Sequence, residues 1–126
     1  MSQQTIDMKS IAVYEYLFHT TDNGILITDA TGKITHMNPA AAAMLGVTVE
    51  DVVGKSMRRV FYKNRAMMNL YERQGEQKLD VRLPRRRLAQ GISDTLDSGD
   101  RILILQDVTE RRDIENRREM LSRTIA

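Results

Sequence analysis

The stretch of residues 24–39, GILITDATGKITHMNP, decides the fold. Residues 24–28 form a continuous apolar run, and residues 33–37 alternate between apolar and polar side chains, so both segments predict β-strands. Between them lies a polar turn in which Gly32 tolerates a positive φ angle. The stretch holds no nucleophile, metal-binding cluster or phosphate-binding loop. It therefore predicts a β-hairpin that shapes a domain rather than a reaction centre.

Two helix signals follow the hairpin. The side chain of Asn38 can cap a helix, and Pro39 suits the first helical position because its missing N–H would have no partner there. Gly46 is placed to end this short helix in the left-handed conformation. A one-turn helix with capping-box spacing begins after Thr48 and ends at Gly54. The sequence therefore predicts short helices directly after the hairpin.

The other elements lie on both sides of this region. Residues 10–18 have the apolar spacing of an amphipathic helix that Ser10 can cap, and residues 61–73 carry apolar side chains at helical intervals up to a stop at Gly75. Further strands are predicted at residues 79–83, 88–96 and 102–105, the last two joined by a hairpin turn. A charged helix without Gly or Pro begins at Thr109.

This order of elements predicts an α+β domain. The strands are expected to form one antiparallel sheet, with the first hairpin beside the last strands and the short helices on one face. The first and last strands are continuous apolar runs, which indicates that the second face is covered as well. The N-terminal helix is the expected cover.

Composition excludes several classes of protein. The 126 residues suffice for one domain with flanking segments, and the absence of cysteine excludes disulfides, thiolate metal sites and cysteine nucleophiles. The 19 basic and 17 acidic residues leave a net charge of +2, and aromatic residues make up only 5%, so a nucleic-acid partner is not expected. No apolar run reaches the length of a membrane span and no signal peptide is evident, so we expect a cytoplasmic chain without a membrane partner.

Several short motifs, in this order, resemble a PAS domain, the small sensory module of bacterial signalling proteins. They are GILITD at 24–29, GKI at 32–34, NPAA at 38–41, LG at 45–46, EDVVGK at 50–55 and DVTERR at 107–112. The resemblance implies a five-stranded antiparallel sheet with strand order 2-1-5-4-3. It also divides the chain into an N-terminal helical cap (1–20), the PAS domain (21–108) and a signalling helix (109–126) that leads to an output domain.

The resemblance also restricts the cofactor. PAS photosensors of the light-oxygen-voltage and coumarate-binding types need a cysteine, so cysteine-linked chromophores are excluded. Haem-binding members use a histidine on the helix over the sheet, and residues 63–73 contain none, so haem is not expected. Elsewhere, His36 is either a haem ligand or pH sensor or a partly exposed strand residue. His19 follows the N-terminal helix. A non-covalent flavin and a small metabolite are the candidate ligands that the sequence does not exclude.

Four methionines are the candidates for a ligand pocket. Methionine fills irregular spaces, so these side chains either line an adaptable pocket or fill the core. They are Met44, Met57, Met67 and Met68.

No group of residues in the sequence predicts catalysis. The basic run at residues 82–87 is either a segment that binds an anion or nucleic acid or a solvated turn in which Pro84 ends a strand. Asp94 and Asp97 are close in sequence, but nothing places them in a cleft. A nucleophile, a base and an orienting group are not found together, so we do not expect an enzyme.

The last strand meets the tail helix at Asp107-Val108-Thr109, which we interpret as a signal relay. Thr109 is a good helix cap, and Asp107 can pair with a nearby arginine. In the tail, Ile114, Leu121 and Ile125 form an apolar stripe too thin to hold a coiled coil alone. Residues 118–126, REMLSRTIA, resemble the segment before the phospho-accepting histidine of sensor histidine kinases.

These features predict a PAS sensory and dimerisation module in bacterial signal transduction. The expected output is a two-component histidine kinase in the parent chain, with homodimers formed through the N-terminal helix, the sheet face or both. The alternative is a ligand-free structural dimerisation module of a diguanylate cyclase or a transcription regulator.

Overall fold

A sheet of five antiparallel strands forms the centre of the fold in this computed structural model, which describes residues 8–73 and 77–125. The strands are β1 (Gly24–Thr28), β2 (Ile34–Met37), β3 (Gln77–Leu83), β4 (Arg87–Thr95) and β5 (Arg101–Asp107). The helices are α1 (Met8–Thr20), α2 (Pro39–Leu45), α3 (Val49–Val52), α4 (Met57–Phe61), α5 (Arg65–Glu72) and α6 (Thr109–Ile125). The strand order β2-β1-β5-β4-β3 confirms the predicted sheet.

The turn between β1 and β2 is built around one carboxylate. Oδ1 of Asp29 accepts hydrogen bonds from the Thr31 hydroxyl at 2.6 Å, the Thr31 N–H at 2.9 Å and the Lys33 N–H at 3.0 Å. The hydroxyl of Thr31 and these N–H groups hold the pKa of Asp29 below its usual range. Gly32 has a φ of 92°, so the predicted positive φ is confirmed. The hairpin is therefore specified within its own sequence.

The inner face of the sheet is filled by apolar side chains. Leu26, Leu103 and Leu105 of the central strands are buried there. The helices after β2 cover them with a second layer, which comprises Leu45, Val52, Met57, Phe61, Met67 and Leu70. Burial of this apolar surface is the main favourable contribution to folding.

One predicted helix is wrong: residues 61–73 do not form a single helix. They contain the end of α4 and, after a break, the whole of α5. The break arises because the side chain of Asn64 accepts a hydrogen bond from the Met67 N–H at 3.1 Å and so starts a new helix. Ser56 likewise caps α4, at 3.2 Å from the Arg59 N–H. The predicted stop at Gly75 lies outside the described residues.

Two predicted caps are also wrong. Helix α1 already includes Met8, so Ser10 lies inside it and cannot cap it. The side chain of Thr48 makes no capping hydrogen bond to α3. That helix ends at Val52, and Gly54 follows two residues later with a φ of 95°.

The part of the chain that the structure describes does not supply the expected cover for the outer face of the sheet. No residue of α1 is buried; the helix packs against α2 and reaches only the β2 edge of the sheet, where Phe18 contacts His36. The outward side chains Ile25, Ile27, Ile102 and Ile104 stay half-buried. The cover predicted from the apolar strands is therefore not supplied by α1 of the same chain.

Candidate functional site

The candidate site is the junction between β5 and α6. Val108 joins the two elements and is itself buried. Its N–H donates to the carbonyl oxygen of Leu88 in β4 at 2.9 Å, and its own carbonyl accepts from the Arg112 N–H at 2.9 Å. The first turn of α6 is therefore bonded to the sheet through a single buried residue.

Thr109 extends this connection. Its hydroxyl accepts a hydrogen bond from the Leu88 N–H at 2.8 Å and donates one to Oδ1 of Asp107 at 2.7 Å. The predicted cap thus differs in detail, because the Thr109 hydroxyl bonds to β4 and not to an N–H of its own helix. The Thr109 N–H is instead bonded by Oδ1 of Asp107 at 3.0 Å. Both side chains therefore join the strand end to the helix start.

Asp107 carries the charge of the junction. Its Oδ2 accepts a hydrogen bond from Nε of Arg87 at 2.6 Å, and 21% of its side-chain surface is exposed. Burial alone would raise the pKa of Asp107, but the hydrogen bonds from Arg87 and Thr109 outweigh it and hold this pKa below its usual value. The carboxylate thus stays ionised at neutral pH and binds to both β4 and α6.

A second ion pair fixes the first turn of α6 over the sheet. Both terminal nitrogens of Arg112 donate to the carboxylate of Asp80 in β3, each at 3.2 Å. Further along the helix, the apolar side chains of Ile114 and Leu121 are 47% and 61% exposed. No signal in the sequence indicated that Arg112 and Asp80 would meet, because 32 residues separate them.

A buried asparagine, Asn38, connects α1, β1 and α2. The carbonyl oxygen of the Asn38 side chain accepts hydrogen bonds from the Ala41 N–H at 3.0 Å and the Ile25 N–H at 2.8 Å. Its amide donates to the carbonyl oxygens of Phe18 and Asn23, both at 2.9 Å. The residue therefore caps α2 and also holds β1 and the end of α1. The sequence indicated only the cap, and the Pro39 that follows occupies the first turn of α2.

The four candidate methionines differ in burial and do not line one common pocket. Met57 and Met67 are fully buried in the core. Met44 and Met68 are half-buried and pack against its margin. Two of the four therefore fill the core, which is one of the two alternatives that the sequence left open.

Two surface grooves are large enough for a small molecule. One, of about 760 Å³, lies beside β3; its lining combines apolar side chains such as Val60, Phe61 and Leu83 with the charged side chains of Lys63, Arg65, Asp80 and Arg82. The other, of about 660 Å³, lies between α1, β2 and α3.

The two histidines that the sequence singled out, His19 and His36, both line the groove between α1, β2 and α3. The Phe18 ring packs edge-on against His19 and His36, with ring centroids 5.3 and 6.4 Å apart. Both histidines are exposed. The described residues contain no cluster of three or more His, Cys, Asp or Glu side chains that would hold a metal ion. No described helix is both long and apolar enough to cross a bilayer.

The remaining polar candidates are solvent-exposed. Arg82, Arg85 and Arg86 are exposed around the turn between β3 and β4, where Arg85 and Arg86 adopt left-handed φ angles of 63° and 62°. Asp94 accepts from the N–H of its neighbour Thr95 at 2.8 Å.

Comparisons with known proteins agree on one fold. Residues 13–125 match the family described as PAS fold. A domain of a sensory box histidine kinase/response regulator from Geobacter sulfurreducens is similar, with a TM-score of 0.56, 19% identity, and coverage of 80% of this chain and 97% of that one. The PAS domain of Bordetella pertussis BvgS gives a TM-score of 0.59 at 23% identity, covering 94% and 96%.

A third similar structure comes from another class of protein. It is the PAS domain, in complex with ethanol, of a LuxR-family transcriptional regulator from Burkholderia thailandensis, with a TM-score of 0.52 and 16% identity, covering 75% and 96%. No curated protein matches the chain.

Proposed function

The chain belongs to the PAS family, and we propose that it is a sensory and dimerisation module that passes a ligand- or partner-induced change through Asp107-Val108-Thr109 to a downstream output. The output in this proposal is the kinase of a bacterial two-component system, located in the cytoplasm. One observation carries the proposal: the first turn of α6 is bonded to β3 and β4, whereas residues 113–122 of that helix are exposed.

The bonds at the junction support a relay because they belong to two elements at once. β5 pairs with both β1 and β4, so a shift of the central strands moves the position of Asp107. Asp107 and Thr109 bond to each other and to β4, so α6 follows that shift. A relay needs an element with two alternative packings, and a helix fastened at one end supplies it.

The dimer part of the proposal is supported by exposed apolar surface. In α1, Val13, Tyr14 and Leu17 are 54%, 68% and 54% exposed. The outer face of the sheet adds the half-buried Ile25 and Ile104. Contiguous apolar surface of this kind is typical of interaction sites. In this proposal a second copy of the chain covers α1, the sheet face or both.

A non-covalent ligand is also part of the proposal. The groove beside β3 is lined by apolar side chains, by the cations Lys63, Arg65 and Arg82 and by the carboxylate of Asp80; the excess of cations suits a flavin phosphate or a small acidic metabolite. A thermal-shift screen tests this, since a ligand that binds only the native state raises the melting temperature. If no flavin or acidic metabolite raises it, the module senses a partner and not a ligand.

The decisive experiment uses the full-length parent protein. We expect autophosphorylation on a histidine, and we expect Thr109→Val to change its rate by about 5-fold or more, a typical allosteric coupling. Thr20→Val is the matched control, because its hydroxyl bonds only within α1, to Tyr16, on the surface. A parent chain that carries a diguanylate cyclase or DNA-binding domain would overturn the kinase output. Equal rates for both variants would overturn the relay.

A further inference from the structure

Arg101, the first residue of β5, carries a charge into the core. Only 8% of its surface is exposed. In the sheet register it lies between Thr28 of β1 and Thr95 of β4. Among the ion pairs of the described residues, none joins Arg101 to a carboxylate. A buried charge is unfavourable unless it is paired, so the surroundings of this guanidinium need a negative partner.

The contacts of the guanidinium orient it but carry no formal negative charge. One terminal nitrogen donates to the hydroxyl of Thr95. The other donates to Oγ of Ser93 at 2.8 Å and to the carbonyl oxygen of Leu70 at 3.3 Å. The ring of Tyr71 lies against it, with 5.9 Å between the guanidinium carbon and the ring centroid. These contacts fix the plane of the guanidinium between α5 and the sheet.

Among the described residues, two buried side-chain atoms in this region have no hydrogen-bond partner. They are Nε of Arg101 and Oγ1 of Thr28. Thr28 is fully buried, and it is the register partner of Arg101. Side chains of residues paired in this way stand on the same face with Cβ atoms about 5 Å apart. Nε can only donate a hydrogen bond and the hydroxyl can donate one, so a single acceptor between them satisfies both.

We propose that Arg101 and Thr28 bind one small monovalent anion of the size of chloride or bromide. A halide accepts both hydrogen bonds at one point and supplies the negative charge that the guanidinium lacks. The site lies at the end of β5 opposite to the junction with α6, and Leu70 and Tyr71 bring the last turn of α5 to it. Halide binding therefore links β1 to Arg101, the first residue of the strand that leads to the relay, and Arg101 is itself bonded to α5 through the carbonyl oxygen of Leu70.

A crystal grown in sodium bromide tests the site directly. We expect an anomalous difference peak at hydrogen-bond distance from both Nε of Arg101 and Oγ1 of Thr28, and we expect Thr28→Val to remove it. This variant keeps the shape of the side chain and loses only the hydroxyl. Density for a water molecule without an anomalous signal would overturn the proposal.

Thermal denaturation tests whether binding occurs in solution. At equal ionic strength, we expect the melting temperature in chloride to exceed that in gluconate by about 3–6 °C, the shift expected when the anion stabilises the native state by roughly 1 kcal/mol. Thr28→Val should abolish the difference, and Arg101→Lys should reduce it. The control Thr20→Val should keep it. If wild type melts equally in both salts, a bromide seen in the crystal reflects binding at crystal concentration only, and the proposal is wrong.

Discussion

At the scale of single residues, two helix-capping asparagines, the buried Asn38 and the half-buried Asn64, can be compared directly. Asn38 makes hydrogen bonds to α1, β1 and α2, and none of its surface is exposed. Asn64 has one comparable role, the cap of α5. Each asparagine therefore caps one helix, and Asn38 also forms the buried hydrogen-bond network.

Truncation of the two asparagines should separate these roles. We expect Asn64→Ala to lower the free energy of unfolding by about 1 kcal/mol, the usual contribution of a cap. Asn38→Ala should lower it by about 3–4 kcal/mol, because the N–H of Ile25 and two carbonyl oxygens also lose their partner. Urea denaturation of both variants measures the difference. Equal losses would show that the network around Asn38 contributes nothing beyond the cap.

Asp107 is the residue that makes stability depend on acid. Its pKa is lower in the folded chain than in the unfolded chain, where an aspartate titrates near about 3.9. Its contribution is therefore present above the unfolded pKa and is lost as the pH falls through the folded pKa. We expect Asp107→Asn to destabilise the domain by about 1 kcal/mol at pH 7 and to match wild type at the acid end.

Denaturation across the acid range measures this dependence. Asp94→Asn is the control, because Asp94 is exposed and bonds only to its neighbour Thr95. A deficit of Asp107→Asn that stays constant from neutral to acidic pH would contradict the assignment.

At the scale of elements, the sequence predicted those helices and turns whose capping and turn residues lie within or next to the element itself. The hairpin of β1 and β2 was predictable because Asp29 and Gly32 lie within it, and α2 was predictable because its cap adjoins it. The break before α5 was not, since Asn64 follows a lysine and no Gly or Pro marks the boundary. The direction of α6 depends on Asp80, which lies on another element. Contacts of this kind leave no periodic pattern in the sequence.

The ion pair between α6 and β3 should control this helix without controlling the domain. Exposed ion pairs contribute about 0–1 kcal/mol to global stability, so Arg112→Ala should barely change the melting temperature. Hydrogen exchange in the first turn of α6 should nevertheless become faster, and the double change Arg112→Asp with Asp80→Arg should restore protection. Arg58→Ala is the matched control, because Arg58 pairs with Glu72 at 3.3 Å, away from α6. Unchanged exchange in Arg112→Ala would show that the pair does not hold the helix.

At the scale of the whole molecule, the two faces of the sheet differ. The inner face is packed with leucines and methionines from strands and helices. On the outer face, Ile104 lies between Ile25 and Ile92 in the register, and this row across three strands is half-buried. The continuous apolar runs of β1 and β5 predicted that both faces are apolar, but only the three-dimensional arrangement shows that α1 reaches the β2 edge and leaves the central row half-buried. In the proposed dimer, a second copy of the chain covers this half-buried apolar surface.

The oligomeric state should respond to a charge placed in the centre of this row. Ile104→Glu buries a carboxylate in any interface that covers the outer face, so we expect the proposed dimer to dissociate into monomers that keep their circular dichroism spectrum. Leu17→Glu makes the same test for α1, and Tyr62→Glu is the control, since Tyr62 is 65% exposed and lies between α4 and α5. Light scattering coupled to size-exclusion chromatography measures the mass of each variant. Dissociation by Leu17→Glu alone would assign the contact to α1, dissociation by Ile104→Glu alone would assign it to the sheet, and an unchanged dimer in both would exclude these two surfaces because neither tolerates a buried, unpaired charge.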